Sequence, residues 1–326
     1  MPWLGSCPVR HDAGHPVAGR VWTLDDIPDL GGRRALVTGA TGGIGERIAL
    51  ELVRKGAQVV MAARDGRKLD AAVGRLRRAL PLARVTPVVL ELADLGAVRR
   101  TAKEVATSGQ LDILVNNAGV MATPQRRTVD GFELQFGTNH LGHFALTGLL
   151  FAQLAAAERA RVVTVASQAH RYTRAVPLTD PRVPARRYRK WTAYAQSKLA
   201  NLLFAFELER RCRAAGTSVI SVAAHPGFTV TNLQRAGRSM DGRSRDGAIL
   251  VGATRLVGQS AEMGAQPILM AATFPDLPGG SYCGPRGLGE VRGLPTVVKA
   301  APVAYDETLA SALWELSESA TGVRYP

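Results

Sequence analysis

Thr38-Gly39-Ala40-Thr41-Gly42-Gly43-Ile44-Gly45 decides the fold. It follows the short apolar run Ala35-Leu36-Val37 and precedes an amphipathic stretch from Ile44 to Lys55, so it reads as a turn between a strand and a helix. Gly39 allows a sharp turn. Gly43 and Gly45 remove side chains where backbone approaches an anion and where the helix packs on the sheet. The free N–H groups at such a helix start hold a pyrophosphate.

Strand and helix signals alternate outward from this turn. Apolar runs at Gln58–Ala63, Val85–Leu90, Leu111–Val115, Arg161–Ala166 and Ser218–Ala223 predict five further strands. Helical periodicity predicts helices over Arg67–Ala79, Gly96–Thr107, Phe132–Ala156 and Ala193–Ala214. The strands are unbroken apolar runs, as a parallel sheet covered on both faces requires. Repeated βα units give an α/β fold, a doubly wound parallel sheet of the Rossmann type. No linker or repeat divides residues 21–326, which read as one domain. Residues 1–20, rich in Gly, Pro and His, read as a disordered extension.

The bulk properties narrow the classes. No apolar run reaches the roughly 18 residues that span a bilayer, and the N-terminus lacks a signal peptide's apolar stretch, so the expectation is cytoplasmic. Cys7, Cys212 and Cys283 are few and far apart, which suits a reducing compartment. The net charge of +14 comes from 35 arginines against 6 lysines spread along the chain. A solvated surface explains it first, steering of an anionic ligand second and nucleic acid last, since no base-stacking or groove-reading motif accompanies the charge. His140 and His143 lie one helical turn apart, but no third ligand is spaced to join them, so no metal is expected.

The Gly-rich spacing, Asn116-Asn117-Ala118-Gly119 after the fourth strand, Tyr194-Ala195-Gln196-Ser197-Lys198, and Pro226-Gly227 with Thr229 and Thr231 together resemble the short-chain dehydrogenase/reductase family. Gly137-Thr138-Asn139-His140-Leu141-Gly142-His143, the long interval from Ser167 to Tyr194, and Gln196 to Asn201 are similar to its retinol dehydrogenase-like branch, which includes the WW-domain oxidoreductases. The resemblance covers residues from about 21 to the C-terminus. It implies an oxidoreductase that moves a hydride between a nicotinamide and a small-molecule carbonyl or alcohol, with Ser167, Tyr194, Lys198 and Asn139 as catalytic residues. It implies cofactor contacts at Gly39, Thr41, Gly43, Ile44, Gly45, Glu91, Leu92, Asn117, Ala118, Gly119, Tyr194, Lys198, Pro226, Gly227 and Thr229, with Asp94 an alternative to Glu91. It also implies a possible homo-oligomer built through long helices such as Ala193–Ala214. A catalytically silent regulatory protein of the same fold is the competing reading, and the intact Ser167, Tyr194, Lys198 and Asn139 argue against it.

Two features refine these expectations. The second strand ends Ala62-Ala63-Arg64, so the acid that would bind ribose hydroxyls is missing and a guanidinium stands ready for a 2′-phosphate. NADP(H) is therefore expected over NAD(H). Tyr194 and Lys198, spaced i, i+4, share a helix face. An ammonium about 5 Å from the phenol at a dielectric near 20 is worth roughly 3 kcal/mol, lowering its pKa from about 10 to about 8.

A substrate lid is expected over about residues 228–259. Phe228, Val230, Leu233, Ile249, Leu250, Val251 and Leu256 offer apolar surface there, and Arg235, Arg238, Arg243 and Arg245 offer charge for an anionic end. Inward packing of the one set and solvation of the other is an equal alternative.

Overall fold

The computed structural model describes residues 21–182, 187–229 and 258–325. Eight strands form one sheet: β1 (Arg34–Thr38), β2 (Gln58–Ala63), β3 (Val85–Val89), β4 (Ile113–Asn116), β5 (Arg161–Val165), β6 (Ile220–Ala224), β7 (Tyr282–Pro285) and β8 (Pro295–Val297). Their order is β3-β2-β1-β4-β5-β6-β7-β8. All neighbours run parallel except the last pair, β7 and β8. The order reverses between β1 and β4, where a doubly wound sheet opens a crevice at the carboxyl ends of its strands.

Alternation along each strand sends side chains to both faces, and both are buried. Ala35, Val37, Val59 and Met61 pack on helices α1 (Gly43–Arg54), α2 (Gly66–Ala79) and α8 (Ala261–Thr273). Leu36, Val60, Ala62 and Leu114 face the opposite layer. That layer holds α3 (Leu95–Ala106), α4 (Leu134–Phe136), α5 (Gly142–Leu149), α6 (Phe151–Ala155), α7 (Lys190–Ala214) and α9 (Glu307–Thr321). Short polar side chains start several helices. Asp65, Asp94, Ser260 and Asp306 each accept a backbone N–H three residues on.

Two of the many arginines are structural. Arg34 donates to Val105 O and Gly109 O at the end of α3, and Arg161 to Ala271 O in the last turn of α8 and to Pro275 O and Leu277 O beyond it. Each places a buried cation at the negative end of a helix. Burial pushes the Arg161 guanidinium down to about 10.

The structure departs from expectation in two places. The helix expected over residues 132–156 is divided into α4, a π-helical turn at Gly137–Leu141, α5 and α6. β7, β8 and α9 had no counterpart in the sequence reading. One face of α7 packs against α9 of the same chain: Phe204 stacks on Trp314 at 5.9 Å, and Arg211 lies 4.4 Å from the same indole. Tyr325 closes this layer, its ring 4.5 Å from Trp314 and its hydroxyl donating to Phe144 O.

Candidate active site

A cavity of about 1180 Å³ runs along the carboxyl ends of the strands from the Gly-rich turn to Ser167 and Tyr194. Every expected cofactor contact borders it: Gly39, Thr41, Gly43, Ile44, Gly45, Arg64, Glu91, Leu92, Asn117, Ala118, Gly119, Tyr194, Lys198, Pro226, Gly227 and Thr229. Lys68, Val120, Met121, Tyr172, Trp191, Glu290 and Val291 also border it and were not foreseen. Asp94 does not; it caps α3.

The Gly-rich turn is locked to the segment after β4. Thr38 Oγ1 accepts the N–H groups of Asn117 and Ala118, both at 2.9 Å, and Asn117 Nδ2 donates to Thr38 O at 2.7 Å. Gly39 has φ +70°, and a Cβ there would lie 2.9 Å from Ala118 Cα. A Cβ at Gly45 would strike the Gly39 carbonyl and lie 2.7 Å from Asn117 Nδ2. No side chain caps α1, whose preceding residue is Gly42, so its first N–H groups open on the cavity. That uncapped start suits a pyrophosphate. Arg64 lies beyond the end of β2, and Asp65, the nearest acid, is engaged by the Lys68 N–H and ammonium.

At the other end, Ser167 follows β5 and begins a 3-10 turn, its Oγ accepting the Ala169 N–H. Its hydroxyl also lies close enough to Tyr194 to favour the phenolate. Lys198 Nζ lies 5.8 Å from the Tyr194 ring centre and donates to Val165 O at 3.0 Å, where Asn201 also donates. The pKa expectation for Tyr194 is overturned. Burial disfavours the phenolate and pushes it up to about 12, opposed by the Ser167 hydroxyl. The same burial brings Lys198 down to about 8. Desolvation dominates at both groups, disfavouring the phenolate at Tyr194 and the ammonium at Lys198.

Asn139 lies within the π-helical turn and is fully buried behind the cavity wall. Its side chain accepts Val120 N–H and donates to Val120 O and Ser197 Oγ. Ser197 in turn donates to Tyr194 O, so Asn139 bears on α7 through Ser197. His143 joins Asn139 O at 3.0 Å to Thr38 Oγ1 at 3.0 Å, and His140 meets Ser317. Both imidazoles are therefore held by protein groups, and burial lowers them to about 4 and about 3.

Of the expected lid, Phe228 and Thr229 border the cavity; residues 230–257, with Thr231 and the candidate arginines, lie outside the described residues. The expected disordered extension at 1–20 lies outside them as well. Among the described residues no helix is long and apolar enough to cross a membrane.

Comparison with known proteins shows that the chain belongs to the short-chain dehydrogenase family. The family model for short chain dehydrogenase matches residues 33–179. The chain is 37% identical over 299 residues to human retinol dehydrogenase 13, covering 90% of this chain and 86% of that one. A crystal structure of an uncharacterized protein from Mycobacterium paratuberculosis superposes with TM-score 0.78 and 43% identity, covering 94% of this chain and all of that one. A Pseudomonas aeruginosa RhlG/NADP active-site complex superposes with TM-score 0.58 and 26% identity, covering 78% and 94%.

Proposed function

From its membership of the short-chain dehydrogenase family, we propose that the chain is an NADP(H)-dependent oxidoreductase acting on a bulky, mostly apolar carbonyl or alcohol. The observation that carries this is a continuous cavity with an uncapped helix start and Arg64 at one end and Ser167, Tyr194 and Lys198 at the other.

The proposed chemistry assigns each residue a task. A bound reduced nicotinamide supplies the hydride. Ser167 Oγ holds the carbonyl oxygen by a hydrogen bond. Tyr194, protonated across neutral pH, donates its proton to that oxygen as negative charge develops. The Lys198 ammonium, one helical turn away, favours the phenolate left behind. Asn139 positions α7 through Ser197, without touching substrate. In the oxidative direction the same groups act in reverse.

Arg64 and Lys68 favour a 2′-phosphate, and the NADP named in the Pseudomonas complex agrees with that preference. Around Ser167 and Tyr194 the wall is built from Val120, Met121, Tyr172, Trp191, Phe228 and Val291, which suits an apolar body such as the alcohol named in the human relative. We place the reaction in the cytoplasm, where Cys212 and Cys283, both buried and unpaired, stay reduced. NADPH oxidation with matched apolar and small polar aldehydes and ketones tests the proposal. Apolar carbonyls should react with the higher kcat/KM; equal or better turnover of small polar ones would sink the substrate class. NADPH should bind at least about tenfold tighter than NADH, with the gap narrowed in Arg64→Ala, since a guanidinium–phosphate contact is worth roughly 1.5–3 kcal/mol. Equal wild-type affinities would sink the cofactor preference.

A further inference from the structure

The structure assigns a task to Glu290: we propose that it is a positioning residue for hydride transfer, clamping the loop after β5 to the loop after β6. The inference rests on the oxidoreductase reading above. Glu290 borders the cavity from the β7–β8 connection, more than 60 residues from any group it holds.

Its carboxylate accepts three side-chain donors. Oε2 takes Gln168 Nε2 and, at 2.9 Å, His225 Nε2; Oε1 takes an Arg171 N–H at 3.1 Å. Gln168 immediately follows Ser167, and His225 immediately precedes Pro226-Gly227. One carboxylate therefore fixes the distance between the residue that would hold the substrate oxygen and the turn expected beside the cofactor. The donor on His225 is determined, because its Nδ1 accepts the Gly227 N–H at 3.2 Å and so leaves the hydrogen on Nε2. Arg171 is braced as well, donating to Gln168 Oε1 and to Lys299 O.

The backbone points the same way. Glu290 has φ +54°, one of two non-glycine residues in the left-handed region among those described. L-residues adopt it rarely, and where it occurs beside a cavity the strain suggests a task. The connection is also pinned on its far side: Phe228 N–H donates to Val291 O at 2.8 Å, and Gln259 joins Pro226 O to the Gly293 N–H. A Cβ on Gly227 would meet Val291 O, so the two loops touch without room to spare.

The test compares the full-length wild type with Glu290→Asn, Glu290→Gly and Glu290→Gln. Asn and Gly accept the left-handed backbone but cannot reach the three donors; Gln keeps an acceptor for Gln168 and His225. Binding of NADPH and of 2′,5′-ADP, which carries only the adenosine end, is measured directly alongside kcat. In the Asn and Gly variants NADPH affinity should fall about tenfold and kcat about thirtyfold, as small displacements at a reacting centre do. Their 2′,5′-ADP affinity should stay within about twofold, because Arg64 lies at the other end of the cavity. Glu290→Gln should restore most of both losses. Unchanged NADPH binding and kcat in the Asn and Gly variants, or an equal loss for NADPH and 2′,5′-ADP, would overturn the clamp. A wild type that binds no NADPH would overturn the functional reading and the clamp with it.

Discussion

The two ends of the cavity are built by different means. At the Gly-rich end, shape comes largely from the absence of side chains: Gly39 and Gly45 let backbone meet backbone, and Thr38 ties the turn to Asn117 and Ala118. At the Ser167 end, shape comes from buried polar side chains that bridge distant segments. His170 Nδ1 donates to Ser167 O at 2.7 Å while its Nε2 accepts the Ala301 N–H, and His225 meets Glu290. The Tyr282 ring lies between the two imidazoles. Among the described residues one imidazole, His143, reaches the Gly-rich end through Thr38 Oγ1, whereas His170 and His225 both brace the Ser167 end, so acid should act more strongly on the second.

Acid is therefore the sharpest way to break the comparison. No histidine lies between residues 21 and 139, whereas His140, His143, His170 and His225 are all buried. Burial lowers the first three from 6.5 to about 3, about 4 and about 4. Between pH 6.5 and 4 the folded chain thus holds fewer protons than the unfolded one, and stability falls as pH falls. Each of the three contributes about 3 kcal/mol across that window. Urea unfolding at pH 7.5, 6 and 5 should show a progressive loss, with hydrogen exchange rising first in residues 140–172 and 220–229. A flat stability profile would mean that these imidazoles are open to protonation in the folded state.

The next largest effect belongs to one hydroxyl at the side-chain-built end. Tyr194→Phe keeps the packing of the ring and removes the proton donor, so kcat should drop about 10³-fold, roughly 4 kcal/mol, while NADPH affinity stays within about twofold. A variant retaining a tenth of wild-type kcat would take the acid role away from Tyr194. At the backbone-built end the smallest possible addition should suffice. Gly45→Ala forces a methyl against the Gly39 carbonyl and Asn117, which costs about 2 kcal/mol of stability and should weaken NADPH binding about tenfold. Unchanged affinity would show that this turn is not closely packed around its ligand.

The same contrast explains what could be read from the sequence. β1 to β6 and the phosphate turn are local patterns, and their bounds moved by only a residue or two; the sixth strand, expected at 218–223, lies at Ile220–Ala224. Ser167, Tyr194 and Lys198 were expected from the family resemblance, and all three border the cavity. Glu290 and Gln259 were missed because their side-chain partners are 33 to 122 residues away and no period links them. β7, Tyr282-Cys283-Gly284-Pro285, is short and ends in Gly-Pro, which reads as a turn; only pairing with β6 makes it a strand. The pKa of Tyr194 failed for a related reason: i, i+4 spacing reveals the neighbouring charge but not the depth of burial.

The aromatic layer over α5 and α7 sets an order on biosynthesis. Phe144, Phe151 and Phe204 leave the ribosome long before Trp314 and Tyr325, the rings that cover them. Nascent chains up to about residue 306 carry that patch uncovered. At roughly 5–20 residues per second, it waits several seconds or more for its cover. The sheet and its Gly-rich turn are complete enough to form in that interval, but the helical layer behind Tyr194 is not. Chaperones that hold exposed aromatic surface should therefore engage this protein late in translation and release it once residues 307–325 have emerged.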